Sequence, residues 1–269
     1  MLNSLMWKIS RRKSGFAQRL SEAAELYIDY YNDFGYEFEK NGERRLLERL
    51  TQHNVSVVFD VGANVGDWSL IATGIFPNAK IHCFELSPRT FQQLQTNLKL
   101  VPNCALNYCG LGENIGEISY KDYGPEQSTL NTITNTTYHD TRFTFSIEKA
   151  RIETGDRYIE TNNIPTIDLL KIDVEGAEHL VLRGFLKALQ TKRVRVIQFE
   201  YGYANGDAKF LMKDFYEFLG GLGYEIGKLR SDGVSFTKFD YCMNNFQSGP
   251  NYLAVLKSEV DLIRSLGGR

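Results

Sequence analysis

The chain is short of most features that would place it at once. Its 269 residues hold four cysteines, Cys83, Cys104, Cys109 and Cys242, and none pair at metal-ligand spacing, which excludes a zinc site and a disulfide scaffold and leaves reduced thiols. There is no long basic run, and a formal net charge of −2 gives no electrostatic footprint for nucleic acid. No apolar stretch approaches the length of a membrane span. Arg11-Arg12-Lys13 is followed by no apolar region between Ser14 and Ala24, so it is not an export signal. A cytoplasmic protein is expected, with contact between those basic residues and an anionic membrane surface as the alternative. Internal repeats and low-complexity segments are absent. So is G-x-G-x-x-G: Asn64 takes the middle position and the last glycine, Gly66, comes one residue early, which argues against a dinucleotide cofactor.

What is present begins at Val57. The run Val57-Val58-Phe59-Asp60-Val61 is rich in β-branched residues and too short for a helix, so it predicts a buried parallel strand. Gly62-Ala63-Asn64-Val65-Gly66 is its exit turn, and Trp68, Ile71, Ala72 and Ile75 follow at helical spacing until Pro77 stops the helix. Ile81 to Phe84 predicts a second strand ending at Glu85, after which Ser87-Pro88 supplies an N-cap and a first-turn proline. The first two strands then each carry an acid at the tip, the first beside a glycine turn. That combination suits S-adenosylmethionine, whose sulfonium, amino group and ribose diol reward carboxylates and which has no phosphate to cradle.

Further along, Ile167 to Val174, Val194 to Phe199, Tyr224 to Leu229 and Tyr252 to Leu256 read as strands, with helix faces at Leu180 to Ala188 and Leu211 to Leu222. Regular alternation of strand and helix predicts a doubly wound α/β sheet. Residues 1–52 read as accessory helices whose tyrosine-rich stripe packs on the body, and 53–260 as one domain. Between Leu111 and Pro165, Gly, Thr and Asn surround short alternating pieces such as Arg142 to Ile147. An inserted hairpin with loops is expected there, and 113–165 lies where substrate recognition would sit.

Leu169 to Glu178 repeats the first motif: an apolar strand, acids at its carboxyl end, a glycine turn and a helix. Ligands of open α/β sheets bind at that end. Asp173, Glu175 and Glu200, the acid ending the next strand, are the candidate proton acceptors, since clustered carboxylates raise one another's proton affinity. Glu178 is expected to stabilise its helix N-terminus. A hard cation such as Mg²⁺ or Mn²⁺ would also suit the three acids, although none is required by this reading.

On three blocks the chain resembles the FkbM-type S-adenosylmethionine-dependent methyltransferases: FDVGANVGDWSL at Phe59–Leu70, CFELSP at Cys83–Pro88 and LLKIDVEGAEHLVLRG at Leu169–Gly184. TGDRYI at Thr154–Ile159 is similar to the segment that precedes the family's fourth strand, while the N-terminal helices and Ser231–Pro250 fall outside the match. The resemblance implies a seven-stranded, mostly parallel, Rossmann-like class I methyltransferase fold and transfer of a methyl group to a hydroxyl of a sugar, glycan precursor or natural product. It places Asp60, Gly62, Ala63, Asn64 and Gly66 around the methionine part of the cofactor, Glu85 with Leu86 at the ribose, and Asp173 facing the methyl group.

Methyl transfer from a sulfonium is an in-line displacement, which rewards positioning, and an alcohol acceptor must lose a proton. His139 and His179 are the other candidates for that task. The competing readings are a methyltransferase-like protein that binds without turnover and a Rossmann-fold oxidoreductase acting on a nucleotide sugar. A small-molecule acceptor is the expected partner, nucleic acid and stable membrane insertion are not, and a homo-oligomer is open.

Overall fold

The structure, a computed structural model, describes every residue except 1, 12–13, 33–34, 36, 138, 247–248 and 268–269. Arg12 and Lys13 of the early basic run therefore lie outside the described residues.

Eleven strands form among the described residues: β1 (Val57–Val61), β2 (Lys80–Glu85), β3 (Cys104–Tyr108), β4 (Gly110–Leu111), β5 (Gly116–Asp122), β6 (Ser146–Glu153), β7 (Ile167–Ile172), β8 (Val194–Glu200), β9 (Tyr224–Arg230), β10 (Gly233–Phe236) and β11 (Asn251–Leu256). The main sheet has the order β10-β9-β11-β8-β7-β1-β2-β3. Its centre, from β3 to β8, is parallel, and β11, β9 and β10 add antiparallel pairs. The resemblance implies seven strands and the sheet has eight. Six lie where the sequence pattern puts them, while β3 and β10 are additional, β10 being an edge hairpin strand of four residues whose alternation is too brief to stand out in sequence.

Period-two alternation sends Phe59 and Val61 to one face, with Phe84, Leu170, Ile172 and Phe199, and Val58 to the other, with Ile81, Leu169 and Val196. The second face is covered by α3 (Glu43–Leu50), α4 (Asp67–Ile75), α5 (Pro88–Asn97) and α11 (Val260–Leu266). The first is covered by α6 (Gly155–Thr161), α7 (Glu178–Gly184), α8 (Leu186–Gln190) and α10 (Met212–Gly221), with the short α9 (Tyr203–Asp207) beside the tips. The layers are those of a doubly wound fold.

The N-terminal segment divides. In α3, Leu46, Leu47 and Leu50 are fully buried, so this helix belongs with the core. The preceding α1 (Leu2–Arg11) and α2 (Gly15–Tyr31) bury no residue, and the expectation that the tyrosine stripe packs on the body is overturned: Tyr27, Tyr30 and Tyr31 are exposed. Helical periodicity reports an apolar face but not what covers it.

The insertion is a small three-stranded sheet, β4-β6-β5. β5 and β6 pair antiparallel from Gly116↔Ile152 to Asp122↔Ser146. Only Ser146 and Ile147 of the alternating piece at Arg142–Ile147 are strand, because the preceding residues form the connection. Past Glu153 the chain returns to the core through α6, capped by the Thr154 hydroxyl on the Arg157 amide, with Ile159 buried.

Candidate active site

The carboxyl ends of β1, β2, β7 and β8 bring the two sequence motifs together. After β1 the amides of Gly62 and Ala63 both donate to the Phe84 carbonyl, at 3.0 and 2.9 Å, so the glycine turn is stitched to β2. Asn64 is left-handed, with φ of 49°. Its amide donates to Glu85 Oε2 at 3.1 Å while Ser87 N–H donates to Oε1 at 2.8 Å. Ser87 precedes α5 as expected but makes no side-chain cap. Burial raises the Glu85 carboxyl to about 7 against backbone hydrogen bonds from Ser87, Asn64 and Leu86. Two carboxylate oxygens offer about four acceptor sites, so capacity remains beyond these backbone donors.

Gly62 has a different reason to be glycine from the one its sequence context suggests. At φ of +84°, a Cβ on Gly62 would stand 1.9 Å from the carbonyl oxygen of Asp173. What requires glycine is therefore the approach of the β1 and β7 tips, also joined by Asp173 N–H to the Val61 carbonyl at 3.0 Å. Gly66, at φ +92°, caps α4 and faces the Leu94 and Leu98 side chains.

Asp60 is fully buried, which places it beneath the tips. Its oxygens accept from the Ser69 hydroxyl at 2.7 Å and from Lys171 Nζ at 3.4 Å. Lys171 also donates to Asp173 Oδ2 at 3.0 Å. Asp60 and Lys171 are register partners on neighbouring strands, as are Lys171 and Gln198, so one polar row crosses β1, β7 and β8. Gln198 donates to Glu43 of α3 at 2.7 Å.

Lys171 had no assigned role in the sequence reading. The signal available was a lone cation within an apolar strand, a placement that demands partners. Burial works against its charge, and Asp173 and Asp60 overcome it, raising its proton affinity.

Asp173, Glu175 and Glu200 converge, each placing a carboxylate oxygen within 4.8 Å of the others. Their titrations diverge. Burial opposes the charge on Asp173, but Lys171 and a hydrogen bond from Glu200 hold its carboxyl below the usual range. Burial, then the charge of Asp173, pushes Glu175 and Glu200 well above it. Asp173 thus favours its charged form beside Lys171, while Glu175 and Glu200 favour their protonated forms.

Glu178 accepts from the Val174 and Gly176 amides at 3.1 and 3.2 Å and from Asn205 Nδ2. It pins the turn that presents Glu175, itself left-handed at φ of 54°. The insertion leans on these tips: the Thr132 hydroxyl donates to the Glu175 carbonyl at 2.7 Å and Ser128 to Asn64 Oδ1 at 3.3 Å. His179 is half-buried, stacked on Phe210 with its pKa lowered by burial. His139 stays within the insertion, against the rings of Tyr123 and Phe143. Leu86 is partly buried and packs toward Gly110.

A profile of the methyltransferase FkbM domain matches residues 60–226, from the acid of β1 to within β9. The chain belongs to the FkbM methyltransferase family. The hexuronic acid methyltransferase AglP of Haloferax volcanii is 30% identical over 221 residues, covering 81% of this chain and 83% of that protein. Methyltransferase sdnD of Sordaria araneosa is 34% identical over 201 residues, 64% of this chain and 73% of its own length. Among solved structures, the FkbM methyltransferase of Methylobacillus flagellatus KT aligns with a TM-score of 0.47 at 15% identity, over 75% of this chain and 43% of that one. As a member of the FkbM family the chain is an S-adenosylmethionine-dependent methyltransferase. The residues present fit that cofactor: Glu85 has remaining acceptor capacity that a ribose diol could use.

Glu85 yields two expectations. Replacing it by Gln should weaken S-adenosylmethionine binding by about 1.5–3 kcal/mol, through loss of charge-assisted hydrogen bonds, and titration calorimetry on the folded variant checks this. The second concerns pH. Free Glu85 titrates at about 7, and ribose hydroxyls donating to it favour the anion. Binding then expels a proton, so affinity rises with pH and should be about 10-fold weaker at pH 6 than at pH 8. Calorimetry in buffers of different ionisation enthalpy reads the released proton directly. A flat profile in the parent, or the same slope in Glu85→Gln, removes Glu85 from the ribose.

Proposed function

We propose that the chain transfers the methyl group of S-adenosylmethionine to a hydroxyl oxygen of a sugar, with a uronic acid unit as the leading acceptor class. The observation that carries the reaction type is the anionic Asp173 held by Lys171 at the strand tips, beside Glu175 and Glu200. The cofactor supplies an electrophilic methyl group when bound. Asp60, through Lys171, fixes the Asp173 carboxylate, and Asp173 accepts the proton of the acceptor hydroxyl as its oxygen attacks. The insertion, tied to Glu175 and Asn64, forms the wall against which the acceptor is oriented. The choice of a uronic acid rests on the name of the relative from Haloferax volcanii.

Base chemistry is favoured over a resident metal. Lys171 Nζ already holds Asp173 Oδ2 at 3.0 Å, supplying the positive charge that a hard cation would otherwise bring to that carboxylate. Turnover should therefore survive strong chelation unchanged.

The test is release of S-adenosylhomocysteine with free and glycosidic uronic acids set against neutral sugars. Uronic acids should be the better acceptors. Cofactor binding without turnover on any sugar would return the chain to a binding protein, and preference for neutral sugars would remove the uronic acid.

A further inference from the structure

The two N-terminal helices leave an apolar surface that the fold does not cover. On α1, Leu2, Leu5, Met6 and Ile9 recur at helical spacing on one face. Leu2, Leu5 and Met6 are exposed, and no residue of α1 or α2 is buried. Trp7 is exposed on the opposite, basic side of α1, with the Arg11 guanidinium 4.7 Å from its ring. In α2, Phe16 and Tyr27 are likewise exposed.

Charge tells what would cover this surface. Up to Glu22 the sequence carries Lys8, Arg11, Arg12, Lys13 and Arg19 and no acid, in a chain whose formal net charge is −2. One end is thus strongly basic and the remainder more acidic than the whole. A short helix with an apolar stripe on one side and basic residues on the other has the chemistry of an element lying in the plane of an anionic bilayer. No described helix is long and apolar enough to cross a membrane, so the mode would be lateral.

The attachment is directional. Arg230 donates to the Tyr31 carbonyl at 3.0 Å and lies 5.9 Å from the Tyr31 ring, fixing the end of α2. Arg230 ends β9. Because Asn251 of β11 pairs with Glu200 of β8, and the next residue, Tyr252, pairs with Lys228 of β9, that end of β9 lies at the same edge of the sheet as the acid cluster.

We propose that α1 and α2 form a docking surface for an anionic lipid bilayer, which they hold at the edge of the sheet where the acid cluster lies. Burial of the α1 stripe supplies the apolar part of the affinity and the basic flank the part that salt screens.

The test is co-sedimentation of the full chain with phosphatidylcholine vesicles, with and without phosphatidylserine. Binding should require phosphatidylserine and weaken at least 10-fold on raising salt. Leu5→Glu combined with Met6→Glu should abolish binding, and Lys8→Glu with Arg11→Glu should lower it at least 10-fold. Neither pair touches the strand tips, so S-adenosylmethionine affinity, measured in parallel, should stay at the parent value and certify folding. Absence of phosphatidylserine-dependent binding, equal binding to neutral vesicles, or binding that survives Leu5→Glu/Met6→Glu overturns the proposal. So does self-association through α1 that persists in the presence of vesicles, which would make a second copy the occupant.

Discussion

Replacing Asp173 with Asn is expected to lower methyl transfer by about 10²–10⁴-fold while S-adenosylmethionine affinity stays within a few-fold of the parent. Asn keeps the size of the side chain and can still meet Lys171 through its carbonyl oxygen, but it cannot accept a proton at neutral pH. The loss should appear in kcat rather than KM, because the interaction operates in the transition state. Steady-state kinetics with the cofactor saturating would show it. Glu200→Gln is the comparison: Glu200 hydrogen-bonds to Asp173 and has its own proton affinity raised by burial and by that neighbour. If Glu200→Gln loses turnover and Asp173→Asn does not, the base is on β8. Parent-like rates in both would leave positioning as the whole of the catalysis.

Gly62→Val should fail earlier, at folding. A β-branched side chain at φ +84° is strained, and its Cβ would meet the Asp173 carbonyl oxygen at 1.9 Å. Backbone strain and overpacking each cost about 1–3 kcal/mol, a large share of the 5–15 kcal/mol that typically holds a domain together. Thermal unfolding should show a sharply lowered midpoint or no cooperative transition, with cofactor binding lost in consequence. Gly62→Ala should move the same way by less. A Gly62→Val protein of parent stability that fails only to bind cofactor would instead place the glycine against the ligand.

Much of this architecture is legible in the sequence because short β-branched runs ending in acids and glycine turns have few structural solutions. Val57–Val61, Lys80–Glu85 and Val194–Glu200 form strands where the pattern puts them, and the acids of β7 and β8 do converge. What was not legible depends on strand register. The pairing of Asp60 with Lys171 joins residues 111 apart, and nothing local to either announces it. The reason for Gly62 also lies in another strand. The faces of α1 and α2 show the opposite failure, since periodicity marks them clearly yet carries no information about the surface opposite. In the insertion, Arg142 to Phe145 alternate without pairing because strand formation needs a partner as well as a pattern.

The central claim is transfer of a methyl group from S-adenosylmethionine to a hydroxyl oxygen at the β1, β2, β7 and β8 tips. It is tested most directly with cofactor labelled with ¹³C in the methyl group and a glycoside of a uronic acid, followed by NMR assignment of the labelled product. The account expects the label as a methyl ether on a ring hydroxyl, formed by the parent and lost in Asp173→Asn. A label found as a methyl ester on the uronate carboxylate, where no hydroxyl proton has to be removed, would contradict it.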